Sequence, residues 1–236
     1  MERFSRRELL QQQSLGLAAG VAGLALTLRA DAHPTLSSRH LEITDDVRPQ
    51  LDAGETAARL KGTAQITRPT GYGPFYSTGA PFRAKSCPPF EPGTKLLVSG
   101  RIWGYDTKKP LPAAVIDIWH SDIKGDYSTG KDFRNRARLI SSETGYYEFE
   151  AIHPVAYAVD NGSWWRSPHV HFKVACPGYF TVVTELYFEG DKLHEQDKVF
   201  QPALMMPLQK REDHGNAYEV VVFDIVLEQG KGIRGG

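Results

Sequence analysis

The chain has 236 residues, and its 28 basic side chains balance its 28 acidic ones, so its formal net charge is zero. Binding to nucleic acid or to an anionic membrane surface depends on an excess of basic residues, and we therefore expect neither as a partner. Hydrophobic residues make up 41% of the chain and aromatic residues 11%, which suffices for a packed core and excludes a disordered chain. The two cysteines are too few for a disulfide scaffold.

The first 32 residues have the pattern of an export signal. Arg6 and Arg7 precede an apolar run over residues 15–28, and residues 30–32 have the small-x-small pattern of a cleavage site. The run is shorter than the roughly 20 residues that span a bilayer, so we expect no stable membrane anchor. The arrangement resembles a bacterial twin-arginine signal, which implies the twin-arginine translocation machinery as a partner and a periplasmic or secreted location. An amphipathic terminal helix is the alternative.

Residues 33–94 are interrupted repeatedly by proline and glycine, which predicts an extended arm that wraps a core beginning at Lys95. Beyond that point no long stretch has the 3.6-residue periodicity of a helix. Short β-branched and aromatic segments, bounded by turn-forming residues, instead predict strands at 95–103, 113–119, 146–152, 169–175, 181–188 and 218–227. This spacing is typical of an all-β, two-sheet sandwich with long loops. Residues 191–216 are predicted to be a loop with at most one short helix. The core, residues 95–236, would form one domain together with the arm.

The strongest chemical signal is the pair His169 and His171 in the fourth predicted strand. Side chains two residues apart on a strand project from one face, so both imidazoles can reach a single metal ion. Such pairs also occur by chance, and the residues just downstream complete no ordinary zinc site. Upstream, Tyr127 and Tyr157 each follow a turn at a strand end, where a phenol would be presented.

Six short motifs follow one another along the chain. They are Gly73-Pro74-Phe75-Tyr76, Trp119…Asp122-x-x-Gly125-x-Tyr127, Gly145-x-Tyr147-x-Phe149, Ile152-x-Pro154-x-x-Tyr157, Arg166-x-Pro168-His169-x-His171-Phe172 and Tyr187-Phe188-x-Gly190-Asp191. Together, over about residues 65–227, they resemble the intradiol ring-cleavage dioxygenases. The resemblance implies a non-haem Fe(III) enzyme. Such an enzyme cleaves a catechol between its two hydroxyl-bearing carbons with O2 and forms a muconate-type diacid.

The resemblance also implies the roles of individual residues. Tyr127, Tyr157, His169 and His171 would bind Fe(III), and Tyr157 would be the ligand released when the substrate binds. Arg166 would act at the bound substrate rather than in a buried ion pair, so an Arg166→Ala variant is expected to keep its stability. Two phenolates and one hydroxide balance three positive charges, so such a centre can be buried in an apolar sandwich.

Three further residues are candidate substrate contacts. Tyr76 would either pack in the core or form a pocket wall. Arg134 belongs to an alternating arginine run, 134–138, that is interpreted first as solvated charge, although a family arginine in this region can line the active-site mouth. Glu185 stands where the family commonly has Gln, and a carboxylate there disfavours an anionic substrate such as protocatechuate. Glu185 could instead pair with Arg166 or another base.

Several points stay open at this stage. The oligomeric state is open, because the residues before 65 leave no room for the helical dimerisation segment that catechol-type members of the family carry. Cys87 and Cys176 could pair after export, although a chain folded in the reducing cytoplasm need not use them. The alternative to an enzyme is a non-catalytic, transthyretin-like sandwich module, which shares such turns but has no reason to keep the Arg-x-Pro-His-x-His strand.

Overall fold

The computed structural model describes residues 65–230, and nearly all of their regular structure is β-strand. The strands are β1 (Lys95–Gly104), β2 (Val115–His120), β3 (Arg136–Ile140), β4 (Tyr146–Ile152), β5 (Tyr157–Val159), β6 (Trp164–Arg166), β7 (His169–Ala175), β8 (Val182–Phe188), β9 (Met205–Met206), β10 (Gln209–Asp213), β11 (Asn216–Val222) and β12 (Ile225–Leu227). Single-turn 3-10 helices occur at Asp160–Gly162, His194–Gln196 and Pro202–Leu204. Within this stretch no helix has the length and hydropathy of a membrane span. The predicted export signal lies outside the described residues.

The strands form two five-stranded sheets and one hairpin. In the first sheet, β1 pairs with antiparallel β4 on one side and, on the other, runs parallel first to β11 and then to β12, with β10 beyond β11. The second sheet has the order β3-β2-β7-β8-β9. Strands β5 and β6 form the separate hairpin. The predicted all-β, two-sheet sandwich is confirmed.

The hydrophobic core lies between the two sheets and is centred on Phe172 of β7. The ring of Phe172 lies 5.2 Å from that of Phe223, 6.0 Å from that of Phe149 and 6.1 Å from that of Tyr147. Because side chains alternate along a strand, the residues on either side of Phe172 project from the opposite face of β7. His171 is one of them, so packing of the core fixes the direction of the histidine face.

The described part of the predicted arm, 65–94, contains only isolated bridges and contacts both sheets. Thr67 N donates to Val226 O at 3.0 Å, and Val226 N donates to Thr67 Oγ1 at 2.8 Å, which ties the arm to the first sheet. A single-residue bridge joins Phe82 to Arg138 of the second sheet. The arm therefore covers the open face of the second sheet and reaches the histidine side of β7, where a Cβ on Gly73 would lie 3.6 Å from the ring of His171.

Two sequence predictions are wrong in detail. The segment 218–227 is two strands, because Phe223 leaves the regular ladder: its amide donates to Ser99 O at 2.8 Å and its carbonyl accepts the hydroxyl of Tyr147. Residues 191–216 contain β9 and β10 as well as turns. Strand β10 is polar and pairs along an edge with β11, so its sequence lacks the apolar alternation of a half-buried strand.

The interpretation of the arginine run as solvated charge is wrong for Arg136, which is buried in β3. Its guanidinium donates to Phe75 O at 2.7 Å and to Ser128 O at 2.8 Å. These carbonyls belong to the arm and to the loop before β3. The buried cation is therefore stabilised by backbone acceptors that come from distant parts of the sequence. Cys87 and Cys176 are both free thiols.

Candidate metal centre

The four residues predicted as metal ligands lie around one small volume. Tyr127 Oη is 3.3 Å from His169 Nε2, and His169 Nε2 is 3.2 Å from His171 Nε2. The ring centre of Tyr157 lies 5.7 Å from that of Tyr127 and 5.8 Å from that of His169. The two histidines come from β7, Tyr157 begins β5, and Tyr127 follows the turn after β2.

The turn that presents Tyr127 is organised by Asp122. Its Oδ1 accepts hydrogen bonds from two backbone amides of the turn, at 2.8 and 3.1 Å, in an Asx-type arrangement. Gly125 has a φ of +85°, which suits glycine. A Cβ on Gly125 would lie 2.9 Å from Cβ of Tyr157, so this turn also packs directly on the second tyrosine.

Arg166 and Tyr157 are brought together by the β5–β6 hairpin, whose register places them directly opposite each other. Directly opposed residues of an antiparallel pair project from the same face, so the guanidinium lies on the side of the phenol. Arg166 is buried. The motifs predicted that Arg166 and the candidate ligands share one site. The β5–β6 hairpin, which was not predicted from the sequence, is what brings Arg166 to Tyr157.

A hydrogen-bond acceptor behind His169 determines which nitrogen of that ring carries the proton. His169 Nδ1 lies 2.6 Å from Ser167 O, which can only accept, so Nδ1 carries the proton and Nε2 has a lone pair. His171 Nδ1 lies 3.2 Å from Glu185 Oε1, off the line of an ideal hydrogen bond, and no other described residue is its partner. If Nδ1 of His171 likewise carries the proton, the Nε2 lone pairs of the two rings face each other at 3.2 Å. That arrangement is repulsive unless a cation lies between them.

The protonation behaviour of the four groups also favours a cation. Burial lowers the pKa of His169 to about 4 and that of His171 well below its ordinary value, so both imidazoles are neutral at pH 7. Burial raises the pKa of Tyr157, and raises that of Tyr127 well above the usual value near 10. Only a strong positive charge nearby would convert these phenols to phenolates.

The donor set fits ferric iron. Two nitrogens 3.2 Å apart can both reach one ion at a metal–nitrogen distance of about 2.1 Å. Phenolate is a hard oxygen ligand that suits a trivalent ion, and imidazole is a common ligand of iron. The residues present therefore fit a mononuclear Fe(III) centre.

Arg166 is held by two buried carboxylates. Its Nη2 donates to Glu185 Oε1 at 2.9 Å and to Tyr187 Oη at 3.1 Å, and its Nε donates to Asp197 Oδ2 at 3.2 Å. Burial is the largest single effect and would lower the pKa of Arg166, but the combined attraction of Glu185, Tyr187 and Tyr157 raises it. The ion pair with Glu185, which was the alternative to a free guanidinium, is thus present in the structure.

Asp197 is a residue of this site that the sequence analysis missed. Besides Arg166, its Oδ2 accepts from Ser167 N at 2.9 Å and from Ser167 Oγ at 3.0 Å. Since Ser167 O in turn fixes His169, Asp197 supports both the guanidinium and one candidate ligand. It lies between β8 and β9, where nothing in the sequence distinguishes it from the neighbouring acidic residues Asp191 and Glu195.

The arm motif places Phe75 beside the two tyrosines. The ring of Phe75 stacks on Tyr127 at 4.4 Å and meets Tyr157 edge-on at 6.0 Å, while the residue is 36% exposed. Tyr76 lies instead against Trp119, at 4.8 Å, and accepts a hydrogen bond from a lysine of β7. Because Trp119 itself stacks on His171 at 4.7 Å, Tyr76 is one ring further from the candidate ligands.

The other two predicted substrate contacts have different surroundings. Arg134 has a 39% exposed side chain and lies 3.9 Å from Asp122, at the outer side of the turn that presents Tyr127. Glu185 is 3% exposed and lies within the site, since one ligand atom each of Glu185, His169 and His171 fall within 4.8 Å of one another.

The chain is similar to known dioxygenases over most of the described residues. Residues 72–229 match the family model described as "Dioxygenase". A chlorocatechol 1,2-dioxygenase of Rhodococcus opacus is 30% identical over 182 residues, which are 66% of this chain and 70% of that protein. A chlorocatechol 1,2-dioxygenase of Pseudomonas sp. (strain P51) is 32% identical over 209 residues, which are 79% of this chain and 81% of that protein.

A solved structure gives the same result. The dioxygenase domain of a dioxygenase carbohydrate-binding protein fusion from Streptomyces sp. SirexAA-E is 28% identical, with a TM-score of 0.60. The superposition covers 70% of this chain and 100% of that domain.

Proposed function

Since the chain belongs to the intradiol dioxygenase family and is an oxidoreductase that incorporates O2, we propose that it is a non-haem Fe(III) enzyme acting on catechols. It cleaves the ring between the two hydroxyl-bearing carbons and forms a muconate-type diacid. The observation that carries this proposal is the convergence of two imidazole Nε2 atoms and two partly buried phenols beside a fixed guanidinium.

The residues that would hold the ion are Tyr127, Tyr157, His169 and His171. The chemistry that Fe(III) supplies when bound is activation of the catechol ring toward O2. Tyr157, as a phenolate, is our choice for the group that would accept a proton from a substrate hydroxyl. It lies opposite Arg166 in the hairpin, whose positive charge lowers the pKa of this phenol against the larger, opposite effect of burial.

Arg166 supplies a cation beside the reacting ring. Glu185 and Asp197 hold it through Nη2 and Nε, so it needs no reorganisation when negative charge develops on the substrate. A guanidinium also keeps its proton throughout, which suits electrostatic stabilisation rather than proton transfer.

The same contacts favour catechols without a ring carboxylate. Two buried carboxylates, Glu185 and Asp197, already face the single guanidinium. A third carboxylate, on the substrate, would be buried without a cation of its own, which is costly. Phe75, partly exposed and stacked on Tyr127, offers an apolar wall for the aromatic ring. Tyr76 and Arg134 remain weaker candidates for substrate contact, since one lies behind Trp119 and the other faces outward.

The test is oxygen uptake by the iron-loaded protein with catechol, a chlorocatechol and protocatechuate, followed by ultraviolet spectra of the products. We expect muconate-type products from the first two substrates and little turnover of protocatechuate. A His171→Ala variant, which lacks one ligand, serves as the control and should consume no oxygen. A yellow semialdehyde product would show cleavage outside the diol and would refute the proposal.

We also propose that residues 1–32 direct export through the twin-arginine machinery to the periplasm or the medium. The support is the pair Arg6 and Arg7 ahead of a short apolar run. Replacing both arginines with lysine should leave the full-length precursor in the cytoplasm. Export of that variant at the normal rate would refute this assignment.

A further inference from the structure

Glu185 lies behind one candidate ligand and beside the candidate catalytic arginine. The register of β7 with β8 places Glu185 directly opposite His171. Its Oε1 is 3.2 Å from His171 Nδ1 and 2.9 Å from Arg166 Nη2, and its Oε2 accepts the hydroxyl of Tyr187. The carboxylate is thus buried, has a cationic partner and faces His171 Nδ1, which has no other partner among residues 65–230.

Glu185 is badly placed to be a metal ligand itself. His169 Nε2 and the hydroxyl of Tyr127 converge on the Nε2 side of His171. The carboxylate lies on the Nδ1 side of the same ring. An ion bound by both Nε2 atoms would have the imidazole of His171 between itself and Glu185.

We infer that Glu185 is a positioning residue, which acts on the metal through His171 and whose carboxylate accepts a hydrogen bond from Nδ1–H of that ring. It fixes the tautomer that presents the Nε2 lone pair, and its negative charge makes that nitrogen a stronger donor. Carboxylates behind metal-bound histidines act in this way in other metal sites. The inference deepens the proposed function, because it rests on Fe(III) being held by His171.

The charge of Glu185 is the part of this effect that an amide lacks. A glutamine at this position has nearly the same shape, and its side-chain oxygen can still accept a hydrogen bond from Nδ1–H. It carries no negative charge. The guanidinium of Arg166, 2.9 Å from Oε1, compensates the negative charge of the buried carboxylate.

The experiment compares the wild-type protein with Glu185→Gln. Loss of the charge should weaken Fe(III) binding about 10- to 100-fold in competition with a chelator. Because the iron becomes more electron-deficient, the tyrosinate-to-iron absorption band should move to longer wavelength and the reduction potential should become more positive. Unchanged affinity, band and potential in a folded variant would overturn the inference. Complete loss of iron binding would also overturn it, since that result would mark Glu185 as a ligand.

A matched control is Glu219→Gln. Glu219 Oε2 lies 2.6 Å from His153 Nδ1, so this variant also removes one carboxylate that faces a histidine, at a place away from the centre. It should leave iron affinity and the absorption band unchanged, and an equal effect in both variants would overturn the inference.

If Glu185→Gln does not fold, Glu185→Asp keeps the charge but withdraws it from His171. It should weaken iron binding in the same direction, and wild-type affinity in that variant would overturn the inference.

A metal-free measurement separates this inference from the proposed function. Nitrogen-15 NMR of the iron-free wild-type protein should show His171 with its proton on Nδ1. A proton on Nε2 would overturn the inference whatever metal the protein binds. A wild-type protein that shows the Nδ1 tautomer but develops no colour with Fe(III) would contradict the proposed function and leave the assignment of the Glu185–His171 contact supported.

Discussion

Each candidate ligand has a neighbour that decides its chemical state. Ser167 O sets the tautomer of His169, and Glu185 Oε1 lies at the corresponding nitrogen of His171. Burial keeps the two tyrosines neutral until a cation is present. The site is thus a set of neutral donors whose lone pairs converge, and it gains its negative charge only with the metal.

Arg166 is the residue for which the structure changes a sequence-based prediction most. Its removal leaves Glu185 and Asp197 buried without a cation, so Arg166→Ala should lose about 3–5 kcal/mol of unfolding free energy. Turnover by the molecules that remain folded should fall on the order of 100- to 1000-fold. Urea unfolding and steady-state kinetics measure the two effects.

The control for this variant is Arg134→Ala. Arg134 is partly exposed and 3.9 Å from its acidic neighbour, so its loss should cost less than about 1 kcal/mol. An Arg166→Ala protein as stable as Arg134→Ala would contradict the ion-pair network described here.

His120 makes the fold sensitive to acid. It is buried, its Nδ1 bonds to Ser121 O at 2.9 Å, and burial lowers its pKa to about 4. The unfolded chain, with a histidine pKa near 6.5, takes up a proton first as the pH falls, so stability decreases from about pH 6.5 to about pH 4 and the loss from this group ends there. The full contribution of this one group is about 3 kcal/mol.

Replacing His120 with Gln should therefore flatten the stability profile between pH 6.5 and 4, whatever it does to stability at neutral pH. Urea unfolding at several pH values measures this. The exposed His214→Gln is the control and should keep the wild-type slope. An unchanged slope in His120→Gln would show that His120 binds a proton equally well in the folded and unfolded protein, so that folding does not lower its pKa.

The turn before Tyr127 presents that residue and also packs on Tyr157, so it positions both candidate tyrosine ligands. Gly125→Ala would bring a methyl group within 2.9 Å of Tyr157 Cβ, in addition to the strain of a positive φ. We expect this variant to bind less Fe(III) and to have a shifted tyrosinate band. Metal analysis and the visible spectrum measure both.

Gly130→Ala separates backbone strain from contact. Gly130 also has a positive φ, but no residue of the described part of the chain lies within 4 Å of the Cβ that the substitution adds. It should lose some stability and keep its iron and its spectrum. Equal spectra for the two variants would mean that the packing of the turn on Tyr157 does not position the phenol.

Strands β4 and β7 begin and end at the residues predicted from the sequence, because their apolar and aromatic residues alternate without interruption between clear turn signals. Strand β3 was missed because Arg136 and Arg138 mask its alternation. Each guanidinium donates to a backbone carbonyl of the arm, Arg136 to Phe75 O and Arg138 to Ala80 O, so only the tertiary structure reveals the strand. The four candidate ligands follow from the resemblance to the intradiol dioxygenases, whereas Asp197 and Phe75 reach the site through loops whose path the sequence does not specify.

In the molecule as a whole, the two-sheet sandwich and the arm together form the surroundings of the candidate metal centre. One face of β7 packs in the core through Phe172, and the other face carries the histidines under the arm residues Gly73 and Phe75. Membership of the intradiol dioxygenase family excludes the non-catalytic sandwich module considered as the alternative.

The visible spectrum of the purified protein loaded with Fe(III) tests the central claim most directly, because tyrosinate bound to Fe(III) gives an intense charge-transfer band there and histidine does not. We predict a red to burgundy protein with one iron per chain, whose band shifts in Tyr127→Phe and disappears with the iron in His169→Ala. A wild-type protein that binds iron and stays colourless would contradict the centre of two tyrosines and two histidines.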